Sequence, residues 1–398
     1  MNQSKRKLLA ISTAVAASLL AGTAMAQQKP PIKLGLITAM TGPFASYGRI
    51  QDLVSKLAAE DINAKGGING SLLQLDVADA QADPGQAVLL FRKFASDGYM
   101  GVVGPLTGTQ WETVSPVANQ ANMPAISVNA IKPGITVKPW TIRLQPPDDT
   151  VMPEGMRDFM KAYPNTKKVV IVADVREASS KAAADAYADL AKKAGLEVLE
   201  TVEFSSRATD LSAAAIQIKS LNPDAILAAA FPAQAMLLAK DLTTQGVTAP
   251  ILNTAILWSG PFINMVGDLG RNWHVMGWST NDAGPTSYIN DPVYSTIVKR
   301  VLAKADAQLG MPPNVANWSL SYDGVLLYAD IMRRTGIDGN TDPKKARETI
   351  KDEFLKLKTF AGAYKYTMRD TGDAHIPATV LAADVPKKQW KFLLPAAR

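Results

Sequence analysis

The fold turns on one stretch: Ile32-Lys33-Leu34-Gly35-Leu36-Ile37-Thr38-Ala39-Met40-Thr41-Gly42-Pro43, then Tyr47-Gly48, then Glu60-Asp61-Ile62-Asn63-Ala64-Lys65-Gly66-Gly67-Ile68-Asn69-Gly70. Ile32–Leu36 is a short apolar run that reads as a strand. From Tyr47 to Lys65 the apolar residues Ile50, Leu53, Val54, Leu57 and Ala58 recur at spacings of three and four, which is one face of a helix. Gly66-Gly67 ends it, because glycine takes the left-handed conformation that closes a helix. Leu73–Val77 is the next strand. Strand, long helix, strand is a βαβ unit, and it predicts a parallel sheet.

The same rhythm extends outward. Pro84 opens a helix through Phe94, Gly101–Val103 is a buried strand, Thr109 to Ala121 is helical and Pro124–Val128 is a strand. After Arg143 a second series begins: a helix near Val151–Tyr163, strand Lys168–Ala173, helix Ser180–Ala194 and strand Val198–Phe204. Leu211–Leu221, Ala225–Ala230, Ala233–Gly246 and Pro250–Asn253 continue it. Two such series predict two similar α/β lobes, each a doubly wound parallel sheet. The remainder is too short for a third core: strand Met276–Ser279, helices Pro292–Leu309 and Ser319–Arg334, and strands Ala378–Leu381 and Trp390–Leu394. It is therefore expected to complete both lobes through three hinge crossovers, near residues 145, 279 and 358, an arrangement that permits clamshell closure. Lobe 1 is then 27–145 plus 280–357, and lobe 2 is 146–279 plus 358–398.

Residues 1–26 are read as a cleavable secretory signal peptide. Lys5, Arg6 and Lys7 precede the apolar run Leu8–Ala21, and Ala24-Met25-Ala26 is a small-x-small cleavage site. The expected destination is the periplasm. No later segment has the length and apolarity of a membrane-spanning helix. The chain carries 42 Lys+Arg against 36 Asp+Glu; the three leader cations removed, 39 face 36. Basic residues are scattered, with no basic-aromatic stripe, so nucleic acid is not an expected partner. There is no cysteine and only two histidines, His274 and His375, which argues against a zinc site or a Cys/His nucleophile. No G-x-S-x-G elbow or complete phosphate-binding loop is present, so an enzyme is not expected and no cofactor or metal is implied.

The opening stretch closely resembles the periplasmic leucine/isoleucine/valine-binding proteins, the receptors of branched-chain-amino-acid-type ABC transporters. The likeness continues through Asp83-Pro84-Gly85-Gln86-Ala87, Val103-Gly104-Pro105-Leu106 and Pro124-Ala125-Ile126-Ser127, and returns at Tyr322-Asp323-Gly324. It implies the type I periplasmic binding fold, a small-molecule ligand between the lobes, a transient permease partner and a monomer. A sensor subunit that signals ligand occupancy instead of delivering cargo is the alternative role.

Ligands of open parallel sheets bind beyond the carboxyl ends of the strands. Leu106, Thr107, Gly108 and Thr109 follow one such strand end and open a helix, where free amides and hydroxyls suit an anion. Where the resemblance implies consecutive serines for the ligand carboxylate, this chain has Gly108 and Thr109. Ser127, Asn129, Ala130 and Ile131 form the next loop of the expected wall, with Ile131 where the family often has threonine. Tyr47 opens the first βα turn at the cleft. Phe231 aligns with a family tyrosine that lies against the ligand. The family's acid for the ligand ammonium falls near Ala255, where this chain has none. A buried ammonium left unpaired is costly, so the favoured ligand is an apolar or aromatic carboxylate without one. Arg176 is a candidate carboxylate clamp, with Asp174 or Glu177 as its neutraliser or as an amine's partner. A zwitterionic amino acid held by Asp174 or Glu177 is the competing reading. Trp258 and Trp111 are candidate aromatic walls.

Overall fold

A computed structural model describes residues 29–205, 207–258, 262–278, 300 and 315–394. The leader 1–26, the crossover near 279 and the helix expected over Pro292–Leu309 lie outside the described residues.

The first sheet runs β2-β1-β3-β4-β5, with β1 (Lys29–Thr38), β2 (Ser71–Asp79), β3 (Gly101–Val103), β4 (Ala125–Ser127) and β5 (Thr141–Arg143) all parallel. Helices α1 (Ala45–Ala64), α2 (Pro84–Ser96) and α3 (Gly108–Gln120) connect its first four strands. The periodic residues Ile50, Leu53, Val54, Leu57 and Ala58 are all buried, as one apolar helix face laid on a sheet requires.

From β5 the chain crosses to the second unit: α4 (Asp148–Ala162), β6 (Lys168–Ala173), α5 (Ala178–Lys193), β7 (Glu197–Glu203), α6 (Ser212–Leu221), β8 (Ala225–Ala229), α7 (Pro232–Thr244), β9 (Ile251–Asn253), α8 (Ala255–Trp258), α9 (Phe262–Met265) and β10 (Trp273–Trp278). β6, β8 and β9 are buried along almost their whole length, the pattern of a parallel sheet covered on both faces.

The return segment differs from the expectation in two ways. The second sheet is not purely parallel. β14 (Ala378–Asp384) pairs antiparallel with β10, and β15 (Gln389–Phe392) pairs antiparallel with β14, giving the order β15-β14-β10-β9-β8-β6-β7. The link between β14 and β15 is too short for a helical crossover, so a hairpin is the only available connection. Secondly, residues 359–375 form a small antiparallel sheet of β11 (Thr359–Ala361), β12 (Lys365–Met368) and β13 (Ala374–His375), tied to the first unit. Arg143 on β5, fully buried, pairs with Asp373 at 2.8 Å, and the Thr136 hydroxyl donates to Asp373 at 2.7 Å. Asp323, on α10 (Val315–Thr335), accepts the amides of Ala363 and Tyr364 and the Tyr366 hydroxyl. The chain rejoins the second sheet only at Ala378, some way past the crossover expected near 358. Before that, α10 packs on α1 and is followed by α11 (Pro343–Lys356), completing the first unit.

Candidate ligand-binding cleft

The two units meet at the carboxyl ends of their parallel strands, and side chains of both line a recess with about 390 Å³ of unfilled space, counting its open mouth. Its apolar walls are Phe44, Tyr47, Leu106 and Ile131 from the first unit and Phe231 and Ile256 from the second. Phe231 meets Phe44 edge to face at 4.8 Å and Tyr47 at 6.3 Å, so three rings from opposite sides form one corner. The Tyr47 hydroxyl, pushed up in pKa by burial, donates to the Ile256 carbonyl at 2.9 Å. The lobes are thus in contact across the cleft.

Local sequence explains the polar end. Thr107 caps α3: its hydroxyl accepts the Gln110 amide, and the Gln110 side chain accepts the Thr107 amide in return. Trp111 then turns inward, donating its indole N–H to the Pro105 carbonyl at 2.7 Å, and is core rather than cleft wall. Among the described residues the amides of Gly108 and Thr109, at the start of the helix, have no acceptor, and Gly108 borders the recess. α5 begins opposite, capped by Glu177, whose Oε2 accepts the Ser180 amide at 2.8 Å. The Thr109 hydroxyl donates to Glu177 Oε1 at 3.3 Å and accepts the Ala178 amide at 3.2 Å. Gly108 permits this approach, since a Cβ there would lie 2.2 Å from Ser179 Oγ.

Glu177 is 7% exposed, and burial raises its pKa against the lowering effect of the Ser180 amide and the Thr109 hydroxyl. Nearby Asp148, the first residue of α4, is buried with neither carboxylate oxygen hydrogen-bonded, and burial pushes it well above the ordinary range.

Of the residues expected from sequence, Tyr47, Leu106, Thr107, Gly108, Asn129, Ala130, Ile131 and Phe231 border the recess. Thr109 and Arg176 do not; they line an adjoining hollow at the cleft mouth, which shares Phe44, Thr107 and Glu177 with the recess. There Arg176 is largely exposed and its Nε contacts Asp174 Oδ1 at 3.3 Å, so no guanidinium enters the enclosed space. Ser127 is buried at the end of β4, behind the wall. Ala255 and Trp258 flank Ile256 on α8 but point into the second core, where Trp258 meets Trp278 edge to face at 4.9 Å. Phe44, Ser179 and Ile256 were not anticipated. Phe44 directly follows the quoted opening stretch, and its closeness to Tyr47 in the first βα loop was the available signal. The sequence offers Glu177 as a neutraliser of Arg176 or an amine's partner, and it borders the recess.

The profile of the periplasmic binding protein family matches residues 31–389. The chain belongs to that family. Its members are solute-binding proteins rather than enzymes, and this periplasmic binding protein is of the branched-chain-amino-acid type associated with ABC transporters. It is 27% identical over 347 residues to the Leu/Ile/Val-binding protein BraC3 of Rhizobium johnstonii, covering 86% of this chain and 88% of that one. Its fold is similar to that of a leucine-binding protein from Thermotoga maritima, with a TM-score of 0.77, 21% identity and coverage of 91% and 97%. It is also similar to a solute-binding protein of an ABC transporter from R. palustris, in complex with benzoate, with a TM-score of 0.76, 17% identity and coverage of 92% and 97%. The type I periplasmic binding fold is therefore that of this protein.

Proposed function

We propose that this protein is the receptor subunit of an ABC importer and that its cleft closes on a small carboxylate with an apolar or aromatic body. The observation that carries the reading is the two-ended recess. Phe44, Tyr47 and Phe231 gather at one corner, and the open amides of α3 lie at the polar end. An apolar body removes water from the rings, and a carboxylate complements the helix start. In this reading residues 1–26 direct export, the closed lobes are offered to a membrane permease, and the receptor acts as a monomer. The benzoate complex of the R. palustris protein supports an aromatic acid.

A second reading, an amino acid, is favoured by Glu177, which brings to the recess the carboxylate that the sequence lacks at Ala255. The Rhizobium relative's name is in keeping with it. Titration calorimetry with aliphatic and aromatic monocarboxylates, amino acids, sugars and inorganic anions tests the function. Saturable one-to-one binding confined to apolar-bodied carboxylates is expected. Binding of sugars or inorganic anions alone would contradict it.

A further inference from the structure

We propose that the hollow at the cleft mouth is a second subsite that holds a distal acidic group through Arg207, so that apolar-bodied acids with two carboxylates are preferred over those with one. This rests on the receptor reading above and adds a second charge to its ligand class.

The hollow adjoins the recess along Phe44, Thr107 and Glu177 and has about 960 Å³ of unfilled space, counting its open mouth, against about 390 Å³ for the recess. A monocarboxylate small enough for the recess leaves the hollow to water. Both lobes build it: Gln81, Ala82 and Thr109 from the first, and Arg176, Ser205 and Arg207 from the second. A group bound there lies between the lobes, where its contacts favour the closed form.

The charged side chains that line the hollow are Asp174, Arg176, Glu177 and Arg207, and all but the last are engaged within the protein. Asp174 Oδ1 accepts the amide and the Nε–H of Arg176, at 3.0 and 3.3 Å. Glu177 accepts the Ser180 amide and the Thr109 hydroxyl. Arg207 is exposed, and among the described residues its guanidinium has neither an ion pair nor a hydrogen bond; its main-chain amide donates to the Ser205 hydroxyl at 3.2 Å. A guanidinium is a planar fork of donors that matches the two oxygens of a carboxylate.

The first-lobe rim is held in an unusual shape. Gln81 and Ala82 are consecutive non-glycine residues in the left-handed region, with φ of 53° and 58°, a conformation such residues adopt at a cost. Asp79 Oδ1 fixes this turn by accepting the amides of Met40 and Gln81, each at 2.9 Å. The Ala82 amide has no acceptor among the described residues. One rim of the hollow thus carries an open donor and the other a free cation, and an anion is the group that complements both.

The test is titration calorimetry of the purified protein with matched acids at about pH 7.5, where every carboxyl group is ionised. Heptanoate is set against heptanedioate, and 3-phenylpropanoate against 3-(4-carboxyphenyl)propanoate; the octanoate and nonanoate pairs extend the reach. The best diacid should bind one-to-one and about tenfold or more tighter than its monoacid, the scale of a charge-assisted hydrogen bond. Arg207→Gln should bring that ratio close to one. Arg176→Gln, at a cation already held by Asp174, should leave most of it. A wild-type ratio near one in every pair would overturn the proposal, as would a ratio unchanged in R207Q or lost only in R176Q. If R207Q slows the association of monoacid and diacid alike in stopped flow while the ratio persists, Arg207 merely attracts anions to the mouth and the subsite falls. Should R207Q not fold, the wild-type ratios decide alone. If no monoacid or diacid binds, the carboxylate-receptor reading itself falls; if monoacids bind and diacids bind no better, only the second subsite does.

Discussion

Tyr47 and Ile256 are joined across the cleft by a hydrogen bond of 2.9 Å, from the tyrosine hydroxyl in the first turn of α1 to a main-chain carbonyl of α8. A bond between lobes stabilises only the closed form. Tyr47→Phe should therefore weaken ligand binding by about three- to tenfold, the worth of one such bond. The thermal midpoint of the open, ligand-free protein should stay the same. Calorimetry and thermal unfolding of the variant check both halves; a shifted ligand-free midpoint with unchanged affinity would place the bond in the fold instead.

Gly108 gives a second handle on closure. An alanine Cβ there requires the Ser179 hydroxyl, 2.2 Å away, to swing aside. Gly108→Ala should lower affinity several-fold, by about threefold or more for a crowded packed contact. Adding Ser179→Ala should restore it, because the next contacts are ordinary, at 3.4 and 3.5 Å. A double-mutant cycle with no coupling would contradict the close approach.

A buried charge pair is one of the two ties that attach residues 359–375 to the first lobe, beside the Asp323 hydrogen bonds. Arg143 is fully buried and Asp373 nearly so. Asp373→Asn leaves the guanidinium uncompensated, which costs on the order of 3–5 kcal/mol. Urea unfolding should show a loss of that size, and a change within the range of surface substitutions would show the pair to be unimportant.

The parallel halves of both sheets were legible in the sequence because buried strands and periodic helices repeat a single pattern, from Ile32 to Val128 and from Lys168 to Asn253. β5 is not legible: Thr141-Ile142-Arg143 is too short and too polar to read as a strand, and the charge of its buried arginine is met by Asp373 from far along the chain. The antiparallel β14 and β15 were seen as strands, but their direction depends on a short connection that carries no periodic signal. In the cleft, Tyr47, Leu106, Thr107, Gly108, Asn129, Ala130, Ile131 and Phe231, read from segments after strand ends, border the recess. Ser127, Ala255 and Trp258 turn into the cores instead, and Thr109 and Arg176 line the adjoining hollow, because helix geometry and neighbouring acids, which the linear sequence does not show, decide where each side chain goes. The place of Glu177 depends on two helices from different lobes meeting, which no local pattern in the sequence shows.

His274 should make stability pH-dependent. Its Nδ1–H donates to the Ile251 carbonyl at 3.1 Å, so Nε2 accepts the Tyr163 hydroxyl at 2.8 Å, and burial lowers the pKa from 6.5 to about 4. Between those values the unfolded chain binds a proton that the folded protein refuses. Stability from this group is full above pH 6.5 and is lost as pH falls towards 4, by on the order of 3 kcal/mol. Asp323, raised to about 7 mainly by burial, slopes the other way over much of the same range, so the wild-type profile alone is not diagnostic. The difference in unfolding free energy between wild type and His274→Gln should shrink as pH drops from 7 to 4. A constant difference would show that His274 is not held neutral.

The central claim is that two lobes close on a carboxylate whose apolar body lies among the cleft rings. A crystal structure grown with the tightest-binding acid tests it most directly. The account predicts ligand carboxylate oxygens within hydrogen-bonding distance of the Gly108 and Thr109 amides, with the body enclosed by Phe44, Tyr47 and Phe231. An acid bound at the outer hollow with Arg176, leaving the enclosed recess without ligand, would contradict it.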